Sequence, residues 1–148
     1  MPSTYTSLHY HLVFATKHRE PLIAPAWRAG LHQYMGGVVR ENEGIALSIG
    51  GVEDHVHLLV GLKPTHRLSD FMRALKTPSS AWAKARCRVP DFRWQDGYSA
   101  FTVSASGIAS VRRYIERQEA HHRSRTFRDE LIAYLRATGV EFDERFLD

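Results

Sequence analysis

Asp54-His55-Val56-His57-Leu58-Leu59-Val60 sets two imidazoles two residues apart within a run rich in valine and leucine. Successive side chains on a strand point to opposite faces, so His55 and His57 share one face while Val56, Leu58 and Val60 share the other. Two imidazoles backed by an apolar face form half of a metal site. Taken alone, the pair is a weak signal, and its plainer reading is two polar residues on the solvated side of a half-covered sheet.

Working outward, Ile45 to Val52 reads as the preceding strand, close enough to pair with the histidine strand as a hairpin. Its Gly50-Gly51 suggests a bulge or a close backbone approach. Upstream, Leu8 to Thr16 alternates around Tyr10, Leu12 and Phe14 as a first strand, and Ala26 to Glu43 carries Trp27, Leu31, Tyr34, Met35 and Val38 at helical spacing. Downstream, Leu68 to Arg86 is a second helix in which Pro78 predicts a kink or break near Thr77. Tyr98 to Ser104 is a fourth strand, a third helix runs from Gly107 to about His122, and Thr126 to Thr138 gives a shorter fourth helix closed by Gly139. The order β-α-β-β-α-β followed by helices is the ferredoxin-like α+β arrangement, an antiparallel sheet with two helices on one face. In that topology the histidine strand sits centrally beside the first strand, and His9 and His11 share its open face. Residues 1–148 are expected to form a single domain.

No apolar run approaches the roughly 20 residues needed to cross a bilayer. Cys87 is the single cysteine, which excludes an intramolecular disulfide and fits a reducing compartment. Neither a zinc-protease helix motif nor a cysteine cluster is present. The net charge of +4 is modest, but its distribution is uneven. Arg67, Arg73, Lys76, Lys84, Arg86 and Arg88 crowd one segment, and Arg112, Arg113, Arg117, Arg123, Arg125 and Arg128 another. Clusters of this kind suit a polyanion, since phosphate contacts by Lys and Arg release counterions. Arg73, Lys76, Lys84, Arg112, Arg113, Arg117 and Arg123 are the candidate contacts to such a polyanion; the bland alternative is two solvated helix faces.

The third helix supplies a companion to the histidines. Tyr114 and Gln118 are four apart and share a helix face, while Ile108, Val111 and Ile115 form the stripe that docks the helix. Laid against the histidine face, Gln118 offers a carbonyl oxygen to a metal on His55 and His57, with Tyr114 overhanging it. Two imidazoles and an amide oxygen with open positions suit Mg²⁺ or Mn²⁺ shared with a substrate phosphate, the nitrogen content tilting toward Mn²⁺. A tyrosine oriented there attacks a phosphodiester and conserves its bond energy in a phosphotyrosine ester. His122, four after Gln118, is in reach of the metal or a phosphate; otherwise His121 and His122 simply cap a basic helix end. Asp54 is an orienting partner for a histidine only if it escapes the opposite face to which strand alternation sends it. Tyr134, with no glutamine four residues on, is discounted as the nucleophile.

Together with Gly97-Tyr98-Ser99-Ala100-Phe101-Thr102-Val103-Ser104 and the opening Tyr10-His11-Leu12-Val13-Phe14-Ala15-Thr16-Lys17, these motifs resemble the single-tyrosine HUH transposases of small insertion sequences, the insertion-sequence-200/605 type. The resemblance spans nearly the whole chain in motif order and spacing. It implies a ferredoxin-like fold, a divalent metal on His55, His57 and Gln118, and Tyr114 as the nucleophile. It further implies a homodimer joined sheet edge to sheet edge, with the tyrosine helix of one subunit against the other's histidines. The implied activity is metal-dependent cutting and joining of single-stranded DNA near hairpins, in the cytoplasm of a bacterial or archaeal cell. Two alternatives keep parts of this reading: a domesticated nickase of host repeats, and a binding module without catalysis.

Overall fold

The computed structural model describes residues 3–122 and 125–147. Four strands, β1 (His9–Ala15), β2 (Ile45–Gly51), β3 (His55–Gly61) and β4 (Ser99–Val103), form one antiparallel sheet in the order β2-β3-β1-β4. The histidine strand is thus central and paired with β1, in a register that sets Val13 opposite His57 and Ala15 opposite His55. This is the ferredoxin-like order expected from the sequence.

Strand alternation sorts the core. On one face Leu12, Phe14, Val56, Leu58 and Val60 pack with Leu31 and Met35 of α1 (Pro25–Glu41) and with Phe71, Met72 and Leu75 of α2 (Leu68–Arg86). Each such side chain, fully buried, contributes roughly 1.5–3 kcal/mol. On the other face lie His11, Val13, Ala15, His55, His57 and Leu59. That face is not open. It is covered by α3 (Ile108–Glu116), the short α4 (Gln118–His121) and α5 (Phe127–Thr138), whose Phe127, Leu131 and Leu135 pack on Val13, Ala15 and Phe101. The imidazoles therefore sit inside the molecule.

One local expectation is corrected and two are narrowed. The third helix does not run through to His122: Arg117, at φ −103° and ψ 19°, breaks it into α3 and α4 and turns Gln118 toward the sheet. Helix α2 passes Pro78 without a break. Ser79 and Trp94 knit the chain beside it, the Ser79 hydroxyl donating to the Leu75 carbonyl at 2.7 Å and accepting from the Trp94 indole at 3.0 Å. The β2 irregularity falls between Ala46 and Ser48 rather than at the glycines. Gly50 instead marks a close approach, because a Cβ there would stand 2.5 Å from the Ile115 carbonyl oxygen. Only a glycine lets α3 lie this close to the sheet.

Candidate active site

His55 and His57 are 0 % and 1 % exposed, and each ring is gripped at Nδ1. Nδ1 of His55 is 2.7 Å from Asp54 Oδ1, and Nδ1 of His57 is 2.8 Å from Nε2 of His11. Asp54 escapes the expected opposite face because β3 begins only at His55; the bend before it is pinned where the Asp54 carbonyl accepts from Thr16 N at 2.9 Å. The carboxylate is then free to turn back onto its neighbour. His11 stacks on His57 with ring centroids 5.0 Å apart. A ring held at Nδ1 presents Nε2 inward, the usual way a second layer of residues fixes a metal-binding imidazole.

Facing those Nε2 atoms is a residue the motif search missed, Glu130 of α5, 2 % exposed. Its Oε1 lies 2.9 Å from His57 Nε2 and 3.4 Å from His55 Nε2. Its Oε2 accepts from the Tyr114 hydroxyl and from Gln118 Nε2 at 3.3 Å, with His121 and His122 Nε2 at 3.1 and 3.2 Å. Gln118 Oε1 stands 3.1 Å from His55 Nε2. So Tyr114, Gln118, His55 and His57 do come together, as spacing suggested, and both histidines of His121-His122 point into the site rather than merely capping a helix. The signal for Glu130 was a carboxylate set on the apolar stripe Phe127, Leu131 and Leu135 of an amphipathic helix, where a charge needs a partner.

Burial and charge pull the titrating groups apart. Burial opposes protonation of His55, but its contacts with Asp54 and Glu130 outweigh this and raise its pKa to about 9. Burial dominates at His57 and lowers it to about 4, and at His11, lowered to about 3. Burial also works against ionised Glu130, yet hydrogen bonds with His122, His55 and His57 hold it well below the usual carboxylate range. Burial, then the Glu130 hydrogen bond and charge, push the Tyr114 phenol far above its ordinary value.

This donor chemistry fits a cation. The Nε2 atoms of His55 and His57 converge on an ionised Glu130 oxygen in a space closed to water. A carboxylate buried there needs a positive partner, a protonated imidazole or a bound cation. The ligating atoms of His55, His57, His122 and Glu130 lie within 4.8 Å of one another. They could hold a divalent metal ion.

Residues 4–118 match the family described as Transposase IS200 like. The chain belongs to that family. The IS200-like chain is 28 % identical over 119 residues to the ISDra2 transposase TnpA of Deinococcus radiodurans, covering 75 % of this chain and 84 % of that one. A crystal structure assigned to a Deinococcus radiodurans R1 transposase superposes with a TM-score of 0.64 at 29 % identity, over 80 % of this chain and 95 % of that one. A tyrosine transposase solved bound to a REP hairpin shares the fold at a TM-score of 0.61 and 14 % identity, over 82 % of this chain and 73 % of that one.

The predicted DNA contacts of this IS200-like transposase divide. Arg113 and Arg117 line a cleft of about 490 Å³ with Ser110, Tyr114, Ala120 and His121, so the tyrosine opens onto two guanidinium groups. Arg112 is exposed on the same helix. Arg73 and Lys84 are exposed on α2, on the far side of the sheet from the histidines, and Arg73 stands 3.9 Å from Asp70. Lys76 is committed elsewhere: its ammonium donates to the carbonyls of Gln95 and Gly97, each at 2.7 Å. Arg123 lies outside the described residues. No helix of the described residues is long and apolar enough to cross a membrane.

Proposed function

We propose that the chain cleaves and rejoins single-stranded DNA at hairpin-flanked element ends through a covalent phosphotyrosine on Tyr114, with a divalent metal, Mg²⁺ or Mn²⁺, held at the histidine pair. One observation carries this: the Tyr114 hydroxyl is seated against the carboxylate that faces His55 and His57, at the inner end of a cleft lined by Arg113 and Arg117. A metal bound there would act as a Lewis acid on the scissile phosphate.

The chain's own residues supply the remainder. Arg113 and Arg117 neutralise backbone phosphates and hold the strand over Tyr114. Glu130 Oε2, already the acceptor of the phenol hydrogen bond, takes the proton as the tyrosine oxygen bonds to phosphorus. The bond from phosphorus to the departing deoxyribose oxygen breaks, and that oxygen takes up a proton from water and leaves as a hydroxyl. Attack by a hydroxyl of another strand on the phosphotyrosine reverses the sequence and reseals the backbone. Hairpin recognition draws support from the REP-hairpin complex of the structural neighbour, and a homodimer from the family resemblance.

The test uses end-labelled single-stranded element ends, with and without Mn²⁺, resolved on a denaturing gel. The wild-type chain forms a metal-dependent protein–DNA adduct. Tyr114→Phe forms none while still binding the hairpin, and Tyr134→Phe, whose ring is only 5.5 Å from that of Tyr114, retains it. An undiminished adduct with Tyr114→Phe overturns the assignment.

A further inference from the structure

Three buried side-chain nitrogens lack a hydrogen-bond partner among the described residues. One, His11 Nδ1, belongs to the histidine face. The other two, Arg28 Nε and His32 Nε2, belong to residues that line a single cleft of about 440 Å³ between α1 and α3, over the edge strand β2. We propose that this cleft takes one unpaired base of the DNA strand, guanine by preference, with Arg28, His32 and Glu116 reading its edge. The inference rests on the DNA-cutting reading above and deepens it by naming a base-specific subsite.

The walls suit a flat ring. Helix α1 contributes Pro25 and Ala29, β2 and α3 contribute Ile49 and Ile115, and Gly50 and Gly51 add no side chain to fill the space. The volume falls within the roughly 300–1,000 Å³ of small-molecule sites. Arg28, with its side chain 12 % exposed, is held in place by Nη2 donating to the Ile23 carbonyl at 3.0 Å. Its Nη1 stands 3.4 Å from Glu119 Oε1, which leaves the Nε–H over. A buried polar group without a partner is uncommon and costly. Two beside one cleft mark a place where a ligand supplies the partners.

Charge selects the ligand. Burial, with the Arg28 charge adding to it, lowers the His32 pKa to about 4, so the ring is neutral at neutral pH. One guanidinium then shares the cleft with two carboxylates, Glu116 and Glu119. That balance repels a phosphate and suits a neutral ring bearing both donors and acceptors. Among the four bases, guanine alone sets two donors side by side, N1–H and the N2 amino group, next to the acceptor O6. The donor pair matches a carboxylate, O6 matches an arginine N–H, and His32 Nε2 donates or accepts according to its tautomer.

Position favours the same ligand. Gln118 also borders the cleft, and its Oε1 is 3.1 Å from His55 Nε2, so the subsite adjoins the catalytic centre. Glu116 and Glu119 line this cleft, whereas Arg113 and Arg117 of the same α3–α4 segment line the one onto which Tyr114 opens. One strand can thus lay its phosphates on those guanidinium groups and set a base on the other side of the helix.

The experiment titrates the full-length chain into short fluorescein-labelled oligothymidylates, unmodified or carrying a single central dG, dA or dC, and follows fluorescence anisotropy. Wild type is expected to bind the strand with dG about tenfold more tightly than the other three. His32→Leu and Glu116→Gln are expected to cut that preference below about twofold, while neither weakens binding of the all-thymidine strand, since phosphate contacts carry no sequence information. Circular dichroism melts identify any variant that does not fold, and Glu116→Gln, at an exposed helix position, decides the matter if His32→Leu is unstable. A wild type that binds all four strands alike or favours dA or dC, or a dG preference kept by a folded Glu116→Gln, overturns the subsite. If that wild type still forms its Tyr114 adduct, the proposed function stands without the subsite; a dG-selective chain that forms no adduct keeps the subsite and loses the proposed cutting.

Discussion

Replacing Gly50 by alanine adds one methyl group where β2 and α3 touch. The new Cβ would meet the Ile115 carbonyl oxygen at 2.5 Å and its Cγ2 at 2.9 Å, whereas ordinary contact begins at 3.4 Å. The backbone oxygen cannot rotate away, so α3 must withdraw by the difference, 0.9 Å. Overpacking of this size costs about 1–3 kcal/mol, partly offset by the roughly 0.5–1 kcal/mol that alanine gains over glycine in a strand. The larger effect falls on chemistry. Tyr114 immediately precedes Ile115, and misplacing a reacting group by about 1 Å costs on the order of a hundredfold in rate. Gly50→Ala should therefore melt slightly earlier and form the phosphotyrosine adduct about a hundredfold more slowly, measured in a single turnover at saturating DNA. Gly37→Ala is the control: in α1, the nearest atom to its new Cβ is Arg40 Nη2 at 3.9 Å, and helix propensity should stabilise it by up to about 1 kcal/mol. A Gly50→Ala chain that reacts at the wild-type rate would refute the claim that this contact positions the nucleophile.

Asp54→Ala removes the partner of His55 Nδ1 and leaves the imidazole itself in place; it should lower Mn²⁺ affinity about 10–100-fold, and an unchanged titration curve would deny Asp54 its orienting role. His32 reports on stability. Burial, with the Arg28 charge adding to it, lowers its pKa from 6.5 to about 4. The unfolded chain therefore takes up the proton first as pH falls. Its contribution is complete above about pH 6.5 and is lost between there and about pH 4, amounting to about 1–2 kcal/mol by pH 5. Denaturant melts at pH 7.5 and pH 5 should show a smaller drop for His32→Leu than for wild type, and equal drops would count against buried neutral His32.

What was legible in the sequence follows from periodicity. Alternation in β1 and β3 assigns Leu12, Phe14, Val56 and Leu58 to one face and the histidines to the other, because a strand has only two faces and water selects between them. The four-residue interval likewise brings Tyr114 and Gln118 together, although Arg117 breaks the helix between them, since Gln118 Nε2 still reaches the Tyr114 carbonyl at 3.5 Å. Periodicity says nothing of which helix lands on which strand. Glu130 is 73 residues from His57, and their meeting depends on α5 folding back over Val13, Ala15 and Phe101. Asp54 eluded the rule for another reason: strand alternation holds only within a hydrogen-bonded ladder, and Asp54 lies one residue outside it.

The docking of α5 carries a consequence for how such a chain can vary. The strand histidines, the tyrosine and the glutamine are contained in residues 4–118, whereas α5 is a separate piece that arrives afterwards. A fragment ending at residue 118 would leave the Val13, Ala15 and Phe101 patch bare to water and the histidine pair roofless. The same modularity means that a change in this one helix reaches the surroundings of the histidine pair while His55, His57, Tyr114 and Gln118 all stay in place. The C-terminal helix is thus a roof laid over histidines that the rest of the sheet already holds in place.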